Sequence, residues 1–249
     1  MGDITRTRVA EVVRLSSTIK SITLVSGRGD LLPGFTAGAH VVAIAREGGS
    51  RRSIPFSLAG SPFERRHWRL VVKRVPELQD HARHLFEVVG AGQRMDISGP
   101  SNGLPLAPAA ARHVFLAAGV GITPFLAHLH EVQALREDFE LHHVYRDEED
   151  GVLSRELADR HGHRVRRYLS SEGEQLIPQR ILASRAAGAH LYVCGPTRFV
   201  ESMADQARRC GWPEYAIHYE RHLRLRRPAT HPDAGGRDSC PGVPFLIGT

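Results

Sequence analysis

Hydrophobic positions along the chain change their period once, near residue 105. Before that point they come in short, partly alternating runs, the period of half-buried strands. Such runs cover Val9–Val13, Ile19–Val25, Val41–Ala45, Trp68–Lys73 and Arg94–Ser98. Glycine and proline clusters separate them at Leu32-Pro33-Gly34, Gly48-Gly49 and Gly99-Pro100. Short strands so punctuated predict a small antiparallel β-barrel over residues 1–105, interrupted by one helix around His81–Val89.

After Pro105 the grammar becomes alternating strand and helix. Strand-like runs lie near 113–118, 139–145, 163–169, 190–194 and 215–219, and helical stretches near 123–136, 152–160, 178–186 and 197–210. Alternation of this kind predicts a doubly wound parallel sheet covered by helices, an α/β domain over residues 111–222. Leu106–Ala111 reads as a short linker. From residue 223 to 249 periodicity is lost, and Pro228, Pro232, Gly235, Gly236, Pro241 and Pro244 mark an irregular tail in which only Val243–Ile247 has the composition to pack.

A length of 249 residues with 41% hydrophobic content supports two modest domains with real cores. No run reaches the length of a membrane span, and the N-terminal segment lacks the apolar stretch of a signal peptide, so a cytoplasmic location is expected. Three cysteines, Cys194, Cys210 and Cys240, provide neither a disulfide framework nor a cysteine quartet for zinc or iron–sulfur. The net charge of +6 is spread along the chain and not interleaved with aromatics, which argues against nucleic acid. Its one dense cluster, Arg221, Arg224, Arg226 and Arg227, reads either as a solvated strip or as a docking face for an acidic partner.

The chemistry sits in two glycine motifs, Gly119-Val120-Gly121-Ile122-Thr123-Pro124 and Cys194-Gly195-Pro196. Each follows a run that reads as a buried strand, Val114–Ala118 and Leu191–Val193. A glycine turn from strand into helix lets backbone amides approach a pyrophosphate, while the helix N-terminus adds partial positive charge. Two such turns at strand ends form opposite lips of one crevice, the signature of an enzyme using a dinucleotide.

Barrel first and nucleotide fold second, with glycine motifs at these two places, resembles the ferredoxin-reductase superfamily. Within it the chain is similar to the reductase components of aromatic-ring oxygenases and oxidative demethylases, over roughly residues 6–223. The markers are Phe56-Ser57-Leu58, Val72-Lys73-Arg74, Gly99–Asn102, Gly119–Pro124, Tyr145-Arg146, Cys194-Gly195-Pro196 and His218-Tyr219-Glu220. The resemblance implies a flavin, FMN ahead of FAD, and NADH ahead of NADPH. It implies that Phe56 lies against the flavin, that Ser57, followed by Leu58, meets its ring or phosphate, and that the backbone of Val72 and Lys73 lines it. Gly119, Gly121, Ile122, Thr123 and Pro124 then form the nicotinamide dinucleotide loop, and Arg146 lies near the adenosine ribose. Cys194, Gly195 and Pro196 form the turn over the nicotinamide, with Glu220 close to the hydride-transfer centre. Ser57, Cys194 and Glu220 are the residues nearest the chemistry.

The chain departs from the family at the flavin phosphate. Ile54 stands where the phosphate arginine is expected, Pro55 reshapes the segment, and Arg51 or Arg52 is the candidate substitute. The stretch Glu77–Arg83 lacks the glycines of the family's phosphate loop. A plant-type iron–sulfur domain with four cysteines is also absent from the sequence, so the expected acceptor is a separate ferredoxin, Rieske protein or oxygenase component. A free-flavin or quinone reductase, or a degenerate subunit that binds without catalysis, are the competing readings. Structural roles compete at single positions too: Phe56 as a core aromatic, Cys194 as a small buried residue or a thiol acidified at a helix start, Glu220 as a surface carboxylate paired with Arg221 or Arg224. His142 and His143 have a spacing seen in metal sites, but adjacent strand residues point to opposite faces, and no metal is expected.

Overall fold

The structure is a computed structural model that describes residues 4–47, 50–74, 86–183 and 185–222, with the side chains of 45–52, 221 and 222 excepted. The tail 223–249, its cysteine and the stretch Glu77–Arg83 lie outside the described residues. So do residues 81–85 of the expected helix, of which Phe86 and Glu87 are helical.

The first half of the chain forms one antiparallel sheet. Its strands are β1 (Ile4–Arg14), β2 (Ile19–Ser26), β3 (Ala39–Glu47), β4 (Ser50–Ser57), β5 (His67–Lys73), β6 (Arg94–Ser98) and the short β7 (Ser101–Asn102). The order is β4-β3-β6-β1-β2-β5, with β7 pairing β3. Val9, Ile22, Leu24, Val41, Trp68, Leu70 and Ile97 turn inward and are almost fully buried, which explains the alternation read from the sequence. Strand β4 has no counterpart in that reading, because Pro55 and the preceding Gly48-Gly49 look like punctuation. It forms because β4 is an edge strand, where a residue without an N–H is tolerated.

The second half forms a parallel sheet of β8 (Arg112–Ala118), β9 (Phe139–Tyr145), β10 (Val165–Leu169), β11 (Ala189–Pro196) and β12 (Ile217–His222), in the order β10-β9-β8-β11-β12. Helices α1 (Thr123–Leu135), α2 (Val152–His161), α3 (Pro178–Leu182) and α4 (Thr197–Arg209) connect the strands. One face of the sheet packs Phe115, Leu141, Tyr192 and Cys194 against α1 and α2, and the other packs Leu116, Leu191 and Val193 against α4. The first of these clusters also contains Ile19, Ala59 and Val71 of the antiparallel layer, so the two layers share apolar core. The segment between them is fastened at Leu104, whose carbonyl meets His128 at 2.8 Å, and at Ala107, whose amide donates to the Tyr192 hydroxyl at 2.8 Å.

Candidate active site at the junction of the two sheets

The strand order reverses between β8 and β11, and in an open α/β sheet ligands bind at such a switch point, beyond the C-terminal strand ends. Both glycine motifs end these two strands. Gly119–Ile122 forms a 3-10 turn leading into α1, and Gly195-Pro196 closes β11 before α4. The turns touch: a Cβ on Gly121 would lie 2.4 Å from the Cys194 carbonyl oxygen and 2.7 Å from the Gly195 Cα. A Cβ on Gly195 would in turn lie 2.9 Å from the Ala118 Cβ. Gly119 meets nothing, but its φ of +55° is a conformation that favours glycine. Neither α1 nor α4 has a side-chain N-cap; at α1 the Thr123 amide donates to the Val120 carbonyl and Pro124 has no N–H, so it is α4 whose first amides remain available to an anion. Thr123 and Pro124 open α1 and, like Ile122, are buried.

Cys194 is fully buried and burial pushes its thiol well above the ordinary range. An acidified thiol at a helix start is therefore not what the fold builds; Cys194 lies within β11, in apolar surroundings. Its neighbour across the β11–β12 ladder is Glu220. Glu220 is largely but not fully buried, its side chain 13% exposed, and desolvation lifts its carboxyl to about 7. It is not a surface carboxylate. Its Oε1 lies 3.8 Å from Nδ1 of His40 on β3, while Oε2 is buried with no hydrogen-bond partner among the described residues. Burial also lowers the His40 pKa, so both groups are driven toward their neutral forms and the contact is not an ion pair.

His40 brings the barrel into the site, because it faces Ser57 across the β3–β4 ladder. Ser57 and Leu58 are buried, and the Leu58 amide donates to the Ala39 carbonyl at 2.9 Å. Ile54 and Phe56 occupy alternate positions of β4, both half-buried against the barrel core. The strand order leaves β4 and β5 as the two edges of the antiparallel sheet, with no ladder between them. At one end the Ala59 amide donates to the Arg69 carbonyl at 2.8 Å, and on the opposite side of β5 the Arg74 amide donates to Thr18 at 2.7 Å. The alternation of an antiparallel ladder then turns the peptide groups of Val71 and Lys73 toward the open seam and those of Val72 toward β2. The backbone edge expected at Val72 and Lys73 is thus carried by Val71 and Lys73.

The Lys73 side chain is engaged elsewhere: its ammonium lies 2.6 Å from Asp150 in the turn before α2. Asp150 also accepts from the Thr18 hydroxyl at 3.4 Å, and Glu149 accepts from the Ser17 amide at 2.5 Å. Glu148 pairs with Arg155 and Arg167. Arg146, at the end of β9, is exposed. Two acids of the run that follows it, Glu149 and Asp150, join the two layers, a role with no local sequence signal. Arg51 and Arg52 lie on the backbone of β4, with side chains outside the described residues. His142 and His143 point to opposite faces, toward Tyr168 and Ser154. The contacts of His40 and His143 also escape sequence reasoning, since a histidine in a strand carries no signal of its partner.

These features fit a flavin and a nicotinamide dinucleotide. An open seam presents peptide groups beside a half-buried aromatic ring, two glycine turns pack against each other so closely that a Cβ on Gly121 or Gly195 would clash, and a buried carboxylate oxygen nearby has no hydrogen-bond partner among the described residues. The flavin phosphate is the exception, because Ile54 offers it nothing.

No family model matches the chain. Individual relatives do. The chain is 34% identical over 214 residues to the carnitine monooxygenase reductase subunit of Escherichia coli, covering 86% of this chain and 67% of that protein. It is 33% identical to the heme-dependent oxidative N-demethylase beta subunit of Ectopseudomonas mendocina, covering 88% and 70%. Vanillate O-demethylase oxidoreductase of Pseudomonas putida is 35% identical, with 81% and 63% covered. Among solved structures, phthalate dioxygenase reductase superposes with a TM-score of 0.81 at 25% identity, over 91% of this chain and 70% of that one. An intact self-sufficient cytochrome P450 monooxygenase superposes at 0.82 and 28%, over 90% of this chain and 29% of that one. Among the described residues no helix is long and apolar enough to cross a membrane. The chain belongs to the reductase components of oxygenase systems, NAD(P)H-dependent flavin oxidoreductases of the ferredoxin-reductase superfamily.

Proposed function

We propose that residues 1–105 hold the flavin and residues 111–222 the nicotinamide nucleotide, and that electrons pass from this chain to a separate protein of an oxygenase system, a ferredoxin, Rieske protein or oxygenase component. The observation that carries the reading is the convergence of Ser57, His40, Glu220 and Cys194 on the mouth between the two glycine turns. When bound, the flavin supplies the conversion of a hydride pair into single electrons. The protein's own work is placement. Gly121 and Gly195 let the two turns meet closely enough to form one dinucleotide site, and the α1 and α4 N-termini face its phosphates. Arg146 reaches the ribose. Phe56 and the outward peptide groups of Val71 and Lys73 hold the ring, Arg51 or Arg52 reaches its phosphate, and the fully buried Cys194 wall keeps water from the transfer. Glu220, with its carboxyl raised to about 7, exchanges a proton at that wall near neutrality. FMN and NADH are the preferred pair, and a cytoplasmic location accords with the free thiols of Cys194 and Cys210.

An absorbance spectrum of the purified protein, before and after anaerobic NADH and then NADPH, tests the reading. A flavin band that bleaches supports it and ranks the nucleotides. Protein that stays colourless after incubation with FMN or FAD replaces it with a non-catalytic subunit, the reading favoured by Ile54.

A further inference from the structure

Beneath the dinucleotide loop lies a buried polar link that the reaction as described does not use. His143 on β9 is fully buried. Its Nε2 lies 2.9 Å from the Gly119 carbonyl, at the first residue of the loop, and its Nδ1 lies 2.8 Å from the Ser154 hydroxyl in the first turn of α2. The Ser154 hydroxyl is also 3.1 Å from the Gly151 carbonyl.

These contacts fix the proton. A carbonyl only accepts, so Nε2 carries the hydrogen and donates it to Gly119. Nδ1 of the neutral ring is then an acceptor, and the Ser154 hydroxyl hydrogen is shared between it and the Gly151 carbonyl, with the shorter contact to Nδ1. Burial keeps the ring neutral, with its pKa lowered to about 4. The charged groups that face it are Asp150, which opposes that shift, and Arg167 and Lys73, which favour it. The Tyr145 ring packs beside it with centroids 5.1 Å apart.

The link does not stop at α2. Gly151 follows Asp150, which takes up Lys73 of β5, and Glu149, which holds the Ser17 amide. One run of contacts therefore connects the barrel strand at the seam to the carbonyl that begins the nucleotide loop. Gly119 has a left-handed φ of +55° and open space around its α-carbon, so packing alone does not hold it. We propose that His143 is a positioning residue for nucleotide binding: its Nε2–H holds the Gly119 peptide, and through Ser154 and the Asp150 turn it sets the dinucleotide loop relative to β5. This rests on the assignment of Gly119–Pro124 as the dinucleotide loop.

The test uses the full chain with flavin bound and ferricyanide as acceptor. His143→Leu removes the donor and leaves a buried carbonyl unsatisfied, and it raises KM for NADH about tenfold with kcat within about twofold, the pattern of lost uniform binding. His143→Gln returns an N–H near the Nε2 position and brings KM back to within about threefold of the native value. Histidine-selective nitrogen NMR, assigned by difference from the Gln variant, shows the Nε2-protonated neutral tautomer of His143 throughout pH 5–8. An unchanged KM in His143→Leu, a Gln variant as impaired as the Leu variant, or an Nδ1-protonated ring overturns the proposal. If the Leu variant does not fold, the Gln variant and the tautomer decide it. A native protein that takes up flavin yet does not bind NADH overturns the functional reading itself, which separates the two failures.

Discussion

Gly121 and Cys194 belong to motifs far apart in sequence, yet the Gly121 α-carbon presses on the Cys194 peptide. An added Cβ would lie 2.4 Å from the carbonyl oxygen and 2.6 Å from the carbonyl carbon. Backbone cannot swing aside as a flexible side chain does, so any larger residue at 121 must part the two turns. Gly121→Ala is expected to destabilise the fold by about 1–3 kcal/mol, as overpacking does, and to abolish measurable NADH binding. Gly119→Ala meets no atoms and bears only the left-handed strain, about 1 kcal/mol. Thermal melts and nucleotide titration of both variants check the order; equal losses would remove the contact from the explanation.

Glu220 predicts a pH dependence of stability. Its folded pKa is raised by burial from 4.5 to about 7, so the fold favours the acid form. The resulting stabilisation is complete below about pH 4.5 and is lost as pH rises through about 7, a change of at most roughly 3 kcal/mol. The native Tm should therefore fall between pH 6 and 8 by more than that of Glu220→Gln, which is neutral throughout. Parallel curves for the two proteins would contradict the assignment.

The Lys73–Asp150 pair joins the two layers, with Asp150 nearly buried and Lys73 about a quarter exposed. Lys73→Met leaves a buried carboxylate with Thr18 as its remaining side-chain hydrogen-bond partner among the described residues. Because the ammonium is partly solvated, the expected loss is moderate, roughly 1–2 kcal/mol, below that of a fully buried pair. Lys73→Met combined with Asp150→Asn should recover part of it. Denaturant melts of the single and double variants measure the coupling.

Thiol labelling gives a direct check on Cys194. Complete burial and a raised pKa make it inert, while Cys210 is half-exposed. Iodoacetamide at pH 8 should modify Cys210 and spare Cys194 in the native protein, with both reacting after denaturation. Peptide mass mapping reads the outcome, and rapid native labelling of Cys194 would place it at an open surface.

Arg146 and Asp147 are expected to govern the choice between the two nucleotides. Glu148, Glu149 and Asp150 are each engaged by other groups, which leaves Asp147 as the acid beside the exposed Arg146. Asp147→Asn should narrow the preference for NADH over NADPH by about two- to fivefold, the scale of one solvent-screened charge interaction. Comparison of kcat/KM for both nucleotides tests this.

Much of the molecule is legible in the chain before any folding is considered. Strand and helix periods divide the antiparallel from the parallel half, and β8 covers the run near 113–118 as the pattern predicts, because a buried strand such as Val114–Ala118 is a local run of apolar residues. Both glycine motifs announce themselves, since glycine is the residue that lets backbone approach backbone. Other features are decided by neighbours. Pro55 conceals β4, which is a strand only because it lies at a sheet edge. The peptide groups turned to the seam, those of Val71 and Lys73, follow from the register with β2. A carboxylate such as Glu220 looks the same in sequence whether solvated or buried, and only the approach of β3 and β11 makes it a proton-holding group. His143 is one histidine among fifteen until β9 sets it under Gly119 and beside Ser154. Local chemistry and period are written in the chain; desolvation, register and contacts between distant residues exist only once the two sheets are packed together.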